Sequence, residues 1–294
     1  MRYAIVDIGS NTVKMHIYDA EEKKDFSHLT SYTVHAKLIK YIENGKMSDS
    51  GVDAICEIIS DFQKKAKKLS CDKFLCFATA SLRRAQNRDN VITSVKERTG
   101  EKIDLISGER EAEYSFIGAT NKLDISGKSG MLIDMGGGST ESVSYVDGKI
   151  TQVRSMPFGS LSLFSDFVSG LFPSEKEAEK ITEYVTNIVG HNSKCEELLV
   201  VGGTGEAICS LHCAVEKSIR NGAYRISVDD LYKMINTICK SEKSQALLRK
   251  TAPEREQTLC PGGYAIYAAA KATGAHTLTF LHGGIREGYL LSII

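Results

Sequence analysis

MLIDMGGGSTE, residues 131–141, is an apolar run that stops at Asp134, turns on three glycines and leaves through Ser139, Thr140 and Glu141. IVDIGSNT, residues 5–12, has the same design: an apolar run, Asp7, the small-residue turn Gly9-Ser10-Asn11, then Thr12. Asp-x-Gly at the end of a buried strand reads as a strand entering a tight turn. Asp7 and Asp134 are 127 residues apart, a period too long for a solenoid repeat and about right for a duplicated domain. Two such domains, each opening with a loop-bearing hairpin, predict a cleft between them.

Outward from the first turn, VKMHIYD at 13–19 reads as the returning strand, and residues 23–41 as a third strand with an irregular loop. Val52, Ile55, Ile58, Ile59 and Phe62 mark a helix over 50–69 whose lysines at 64, 65, 67 and 68 suit its C-terminal end. FLCFAT (74–79) and IDLIS (103–107) are strands, with a helix to about Arg98 between them and another over 109–120. Residues 121–130 are polar and glycine-containing, the best boundary candidate. The expected domains are 1–124 and 125–294, with the final helix packing back on the first. In the second, a strand at 151–156, helices at 160–167 and 174–188, LLVVGGTGEAI (198–208), a helix at 228–239, Pro261-Gly262-Gly263 before a small-residue helix, and a strand at 276–280 predict a second mixed sheet. Strands alternating with helices give an α/β fold, mixed sheets flanked by helices.

Lys plus Arg and Asp plus Glu are both 37, so no net charge points to a nucleic-acid partner. No run approaches the roughly 20 apolar residues of a membrane helix. Asp7 and Gly9 come too early for a signal peptide, so a cytoplasmic protein is expected. Eight scattered cysteines without a CxxC pair read as reduced core residues. Cys209, His212 and Cys213 lack a matching second half for a metal site and read as a helix face.

A turn such as Gly136-Gly137-Gly138-Ser139-Thr140 can aim several backbone N–H groups at one anion, and its hydroxyls can add donors. Gly9-Ser10-Asn11-Thr12 offers the same chemistry, and Gly202-Gly203-Thr204-Gly205 a third loop. One glycine turn also fits a plain hairpin; three after apolar strands point to phosphate. None is GxxxxGK[ST] or GxGxxG, which excludes P-loop and dinucleotide sites. Asp7 and Asp134 beside a bound phosphate call for a cation, and Mg²⁺ or another hard divalent ion needs few carboxylates. Glu141 follows Asp134 across the turn and could share that ion; turn capping is the alternative for each acid. Arg83, favoured over Arg84, stands after a strand where it could clamp phosphate. Among Glu109, Glu111 and Glu113, a carboxylate could take a proton from attacking water, or the acids could simply complement a helix N-terminus.

Taken together, these segments resemble the exopolyphosphatase and guanosine pentaphosphate phosphatase family of the sugar kinase, heat-shock and actin superfamily. YAIVDIGSNTVKM resembles its first phosphate motif, FATASLRRAQN its arginine segment, LISGEREAEYSFIGA its catalytic-glutamate segment and LIDMGGGSTE its second phosphate motif; VVGGTGEAI and GGIREGYLL match later segments. The resemblance implies a two-domain actin-like (ribonuclease H-like) fold with an interdomain active site. It also implies a water-activating Glu111, an acidic active-site Glu141, motif aspartates Asp7 and Asp134, and Arg83 near substrate phosphate. One departure stands out: the family reads Glu-Glu-Ala-Arg where this chain reads Arg110-Glu111-Ala112-Glu113. It resembles the short two-domain members, so a less processive enzyme, possible as a homodimer, is expected.

The implied reaction is release of terminal orthophosphate from inorganic polyphosphate or from pppGpp, with Mg²⁺ near Asp134, Glu141 and Asp7 and the phosphate on the glycine turns, Gly203 included. A superfamily kinase or ATPase, or a non-catalytic sensor of nucleotide polyphosphates, is the alternative.

Overall fold

In the computed structural model, which describes residues 1–21, 25–190, 195–219 and 222–294, YAIVDI lies within β1 (Arg2–Ile8). Antiparallel β2 (Val13–Ala20) flanks it on one side and parallel β6 (Lys73–Ala78) on the other. A strand inside a sheet covered on both faces buries consecutive residues, and Ala4, Ile5 and Val6 are all buried. Antiparallel β3 (Phe26–Val34) extends the sheet beyond β2, and parallel β7 (Ile103–Leu105) extends it beyond β6. The order is β3-β2-β1-β6-β7. Residues 23 and 24, at the start of the stretch expected to hold a third strand, lie outside the described residues.

The connections carry a small hairpin, β4 (Ile42–Glu43) and β5 (Lys46–Met47), and the helices α1 (Asp49–Lys68), α2 (Ala80–Arg84) and α3 (Arg88–Thr99). Ser48 caps α1 by accepting from the Gly51 N–H, and Val52, Ile55, Ile59 and Phe62 form its buried stripe. That stripe packs into one core with Val6, Met15, Ile17 and Cys76 of the sheet.

The second sheet repeats the first. β8 (Gly130–Met135), β9 (Thr140–Val146) and β10 (Lys149–Met156) form the antiparallel part, and β11 (Glu197–Val201) and β13 (Thr277–Phe280) follow in parallel. The order β10-β9-β8-β11-β13 matches the first sheet strand for strand, with β12 (Tyr224–Ser227) added antiparallel at the edge. Met131, Ile133 and Met135 of β8 face one core, covered by α5 (Ser160–Phe167), α6 (Glu175–Val189), α7 (Gly202–Glu216), α8 (Val228–Lys240), α9 (Glu242–Thr251) and α10 (Leu259–Thr273). Leu132 faces the other way, into a smaller core with Ala112, Phe116 and Ala119 of α4 (Gly108–Thr120). Ser174 and Glu177 make the capping box expected for α6.

The chain divides into two compact units, Met1–Glu111 with Arg286–Ile294, and Ala112–Ile285. The division falls inside α4, ahead of the polar stretch at 121–130, because the apolar face of α4 beyond Glu111 is packed on Leu132, Val143 and Leu199 of the second sheet. The last helix, α11 (Ile285–Leu291), belongs from Arg286 on to the first unit. There Tyr289 donates to Asp104 (2.6 Å) and its ring lies tilted against that of Phe77, centroids 4.9 Å apart.

Two further expectations need adjustment. Gly202–Gly205 is no loop but the first turn of α7, and Pro261-Gly262-Gly263 lies inside α10, which begins at Leu259. Proline is compatible with a first helical turn. Gly262 is required by packing: a Cβ there would come within 2.6 Å of Thr204 Cγ2. All eight cysteines are free thiols.

Candidate active site

In the first unit, Gly9 N–H donates to Thr12 O (3.0 Å) and closes the turn at the end of β1. The carbonyls at its tip are tied back: Ser10 O accepts from Ile39 N–H (3.1 Å) and Asn11 O from Lys37 N–H (2.9 Å). The strand β6 delivers Arg83 on α2, and the first turn of α4 delivers Glu111. Arg83 Nη1 donates to Glu111 Oε2 (2.7 Å) and to Ile106 O (2.9 Å), so the two residues favoured from sequence form one buried ion pair. Glu109 behaves differently. It is exposed, and hydrogen bonds from its own backbone and Ser107 hold its carboxyl below the usual range, as suits a group at a helix start.

In the second unit the same closing bond recurs, Gly136 N–H to Ser139 O (3.0 Å). The tip carbonyls are tied to the N-terminus of α5: Gly136 O accepts from Ser160 N–H, and Gly137 O from Leu161 and Ser162 N–H (2.9, 2.9 and 3.0 Å). These peptide planes are trans. A carbonyl turned toward α5 therefore turns the N–H of the next residue, Gly137 or Gly138, to the opposite side. Gly159 makes the fit possible. A Cβ there would sit 2.5 Å from Gly137 C, 2.6 Å from Gly138 N and 2.7 Å from Gly136 O. Thr140 is spent inside the fold: its buried hydroxyl donates to Phe158 O (2.8 Å).

The two halves differ in charge at one matched position. Asp7 is paired in register with Lys14, whereas Asp134 is paired with Glu141, each seven residues on. Asp7 also accepts from Arg286 Nη1 (2.9 Å). Burial pushes the Asp7 carboxyl up, while Arg286 and Lys14 pull it back. Asp134 faces a second carboxylate, and directly opposed like charges in a strand pair repel. Serine hydroxyls engage each acid: Ser115 donates to Asp134 Oδ2, and Ser155 to Glu141 Oε1 (2.9 Å). Two opposed carboxylates fit a hard divalent cation that fills its shell with water and phosphate oxygens. Among the described residues no three His, Cys, Asp or Glu side chains gather as a metal centre. Asp7, balanced by its own cations, does not call for a metal.

Gly203 stands in the first turn of α7, where backbone N–H groups favour anions. The space over it is filled by the Arg255 guanidinium, close enough that a Cβ on Gly203 would overlap it. Burial lowers the Arg255 pKa, and its side chain has no hydrogen-bonding partner among the described residues. The hydroxyls of Thr204 and Thr258 are likewise buried and unpartnered. A half-buried cation without a partner at the positive end of a helix favours an anion. Sequence reading missed Arg255 because PER reads as an exposed turn. It also passed over Gly159, which lies just ahead of the helix at 160–167.

Two matched turns with outward amides, and a partly buried arginine in each unit, Arg83 and Arg255, define an anion-handling α/β protein. The Ppx/GppA phosphatase family matches residues 16–294, and the chain belongs to that family. Exopolyphosphatase 1 of Mycobacterium leprae is 24% identical over 99% of this chain and 89% of that protein. The guanosine-5'-triphosphate,3'-diphosphate pyrophosphatase of Aeromonas hydrophila is 24% identical over 99% of this chain and 59% of its own length. Several other curated relatives are matched over about half their length, 54% or 51%. The crystal structure of the Aquifex aeolicus family member superposes with a TM-score of 0.84 at 23% identity, covering 100% of this chain and 97% of the other. The fold is thus the two-domain actin-like fold of that family. No helix among the described residues is long and apolar enough to cross a membrane.

Proposed function

We propose that this protein hydrolyses the terminal phosphoanhydride of inorganic polyphosphate or of a guanosine pentaphosphate such as pppGpp, releasing orthophosphate. The observation that carries this reading is the doubled glycine turn, closed by the same N–H to carbonyl bond in both units and tied back at its carbonyls in both. Such turns hold phosphate oxygens with amides and read no base. The buried Arg83–Glu111 pair supplies the chemistry.

Glu111 takes a proton from water as the water oxygen attacks the terminal phosphorus. The bridging P–O bond breaks, its electron pair leaves with the shortened chain, and orthophosphate departs. Arg83 fixes the orientation of the Glu111 carboxylate and offers a cation to the transferring group. Arg255, with the first turn of α7, offers a further cation to the phosphate chain. Mg²⁺, held by Asp134 and Glu141, would neutralise charge on the phosphoryl oxygens.

The test is orthophosphate release from polyphosphates of several lengths, pppGpp and ATP, each with and without Mg²⁺. Release from polyphosphate or pppGpp is expected, with Glu111→Gln at least about a hundredfold slower and binding retained. No release from either substrate, or full turnover by E111Q, would overturn the reading.

A further inference from the structure

Lys37 adopts a left-handed backbone, φ 49 and ψ 46. The other non-glycine residues in that region have ordinary reasons for it. Asn44 and Asp147 sit at hairpin tips, and Ser70 and Lys217 just past helix ends. Lys37 instead precedes the short 3₁₀ turn Leu38–Tyr41, and its side chain is exposed. No packing of that side chain accounts for the conformation.

The backbone does account for it. Lys37 N–H donates to Asn11 O (2.9 Å) and Ile39 N–H to Ser10 O (3.1 Å), while Lys40 N–H closes onto Lys37 O (2.9 Å). The left-handed residue lets two amides of one short segment reach two successive carbonyls of the first glycine turn. Those peptide units are trans. Fixing the Ser10 and Asn11 carbonyls on residues 37–39 therefore turns the N–H groups of Asn11 and Thr12 to the other side. Neither of these amides has a partner among the described residues. The second unit does the same work with the N-terminus of α5, preceded by Gly159, where a side chain would collide. At the matching place in the first unit a lysine carries the left-handed conformation.

We propose that Lys37 is a positioning residue for phosphate binding, acting through its backbone conformation and not through its ammonium charge. What the turn binds rests on the phosphatase reading; how the turn is aimed does not. Glycine reaches the left-handed region without penalty, whereas a β-branched residue is poorly suited to it. Lys37→Gly therefore removes the charge and keeps the geometry, and Lys37→Val removes both.

Steady-state kinetics and titration with inorganic tripolyphosphate test this on the full chain. Lys37→Val is expected to raise KM and weaken tripolyphosphate binding at least about tenfold with kcat within about threefold, and Lys37→Gly is expected to restore both to about twofold of the parent. Equal impairment of the two variants would assign the effect to charge and overturn the proposal, as would a Lys37→Val chain that binds like the parent. Should the valine chain fail to fold, Lys37→Ala takes its place under the same two outcomes. In the unmodified protein, tripolyphosphate is expected to shift the backbone amide resonances of Asn11 and Thr12; unmoved resonances under saturating tripolyphosphate would also overturn it. If the protein binds tripolyphosphate with the expected order of variants but releases no phosphate from any substrate, the phosphatase reading falls and the role of Lys37 stands.

Discussion

Arg286 Nη1 lies 2.9 Å from Asp7 Oδ2, joining residues 279 apart in sequence inside one folding unit. Both side chains are mostly buried. Burial alone would lower the arginine pKa, yet Asp7 and Glu287 raise it. The pair therefore works as a charged clasp between the end of β1 and the start of α11. Breaking a buried pair from one side leaves an uncompensated charge, which costs about 3–5 kcal/mol. Arg286→Ala should show that loss in urea unfolding, and Asp7→Asn in the same background should recover part of it. An Arg286→Ala chain as stable as the parent would mean that water already screens Asp7.

Gly159 makes a separate prediction. The atoms that a Cβ would meet are backbone atoms of residues 136–138, which cannot rotate away. Gly159→Ala should push the second turn out of place, costing about 1–3 kcal/mol of stability as overpacking does, and weakening phosphate binding about tenfold or more. Gly170→Ala is the control, since its nearest neighbour would be Phe172 O at an ordinary 3.7 Å. Equal behaviour of the two variants in a phosphate-binding titration would remove Gly159 from the site.

Much of the fold was legible because the signal was local. An apolar run ending in Asp-x-Gly announces a buried strand and a tight turn within eight residues, and its second occurrence announces duplication. The opposition of Asp134 and Glu141 follows from the same hairpin. Other relations were not local. Arg83 and Glu111 meet across 28 residues and two elements, so their separate roles came from resemblance and their pairing from structure. Lys14 and Glu141 hold equivalent places with opposite charge, a difference visible only once both registers are known. The edge strand Tyr224–Ser227 went unseen because four residues pairing on one side leave no periodicity to read.

The pH dependence of stability should carry a signature from His16. Its Nδ1 lies 3.2 Å from the Tyr18 hydroxyl, whose proton goes to Glu287 Oε1 at 2.5 Å, so the ring donates from Nδ1. Burial, followed by Arg286, His28 and Lys14, depresses its pKa from 6.5 to about 2. Between those values the unfolded chain binds a proton that the folded chain refuses. The sign follows: this contribution is complete above pH 6.5 and is lost as pH falls below it, by up to about 1.4 kcal/mol per pH unit. His16→Gln should flatten the decline between pH 6.5 and 4 in urea unfolding. Parallel pH curves for the two chains would show that His16 is protonated in the fold.

Arg255 yields the prediction with two signs. Its guanidinium lies half-buried over Gly203, without a hydrogen-bonding partner among the described residues, and it shares its neighbourhood in sequence with the unpartnered Thr258 hydroxyl. A partly desolvated cation left unpaired contributes nothing to the fold in the absence of an anion, so an apolar residue of similar reach should be tolerated. Arg255→Met is therefore expected to be as stable as the parent or slightly more stable in the absence of phosphate, to within about 1 kcal/mol. The same change should weaken tripolyphosphate binding, because the anion loses a charge-assisted partner beside the helix amides, an effect of about 1.5–3 kcal/mol or roughly tenfold to a hundredfold. Added tripolyphosphate should raise the melting temperature of the parent more than that of the variant, since only ligand that binds the folded state stabilises it. A variant that loses stability and keeps its affinity would mark Arg255 as a packing residue, with the anion held elsewhere.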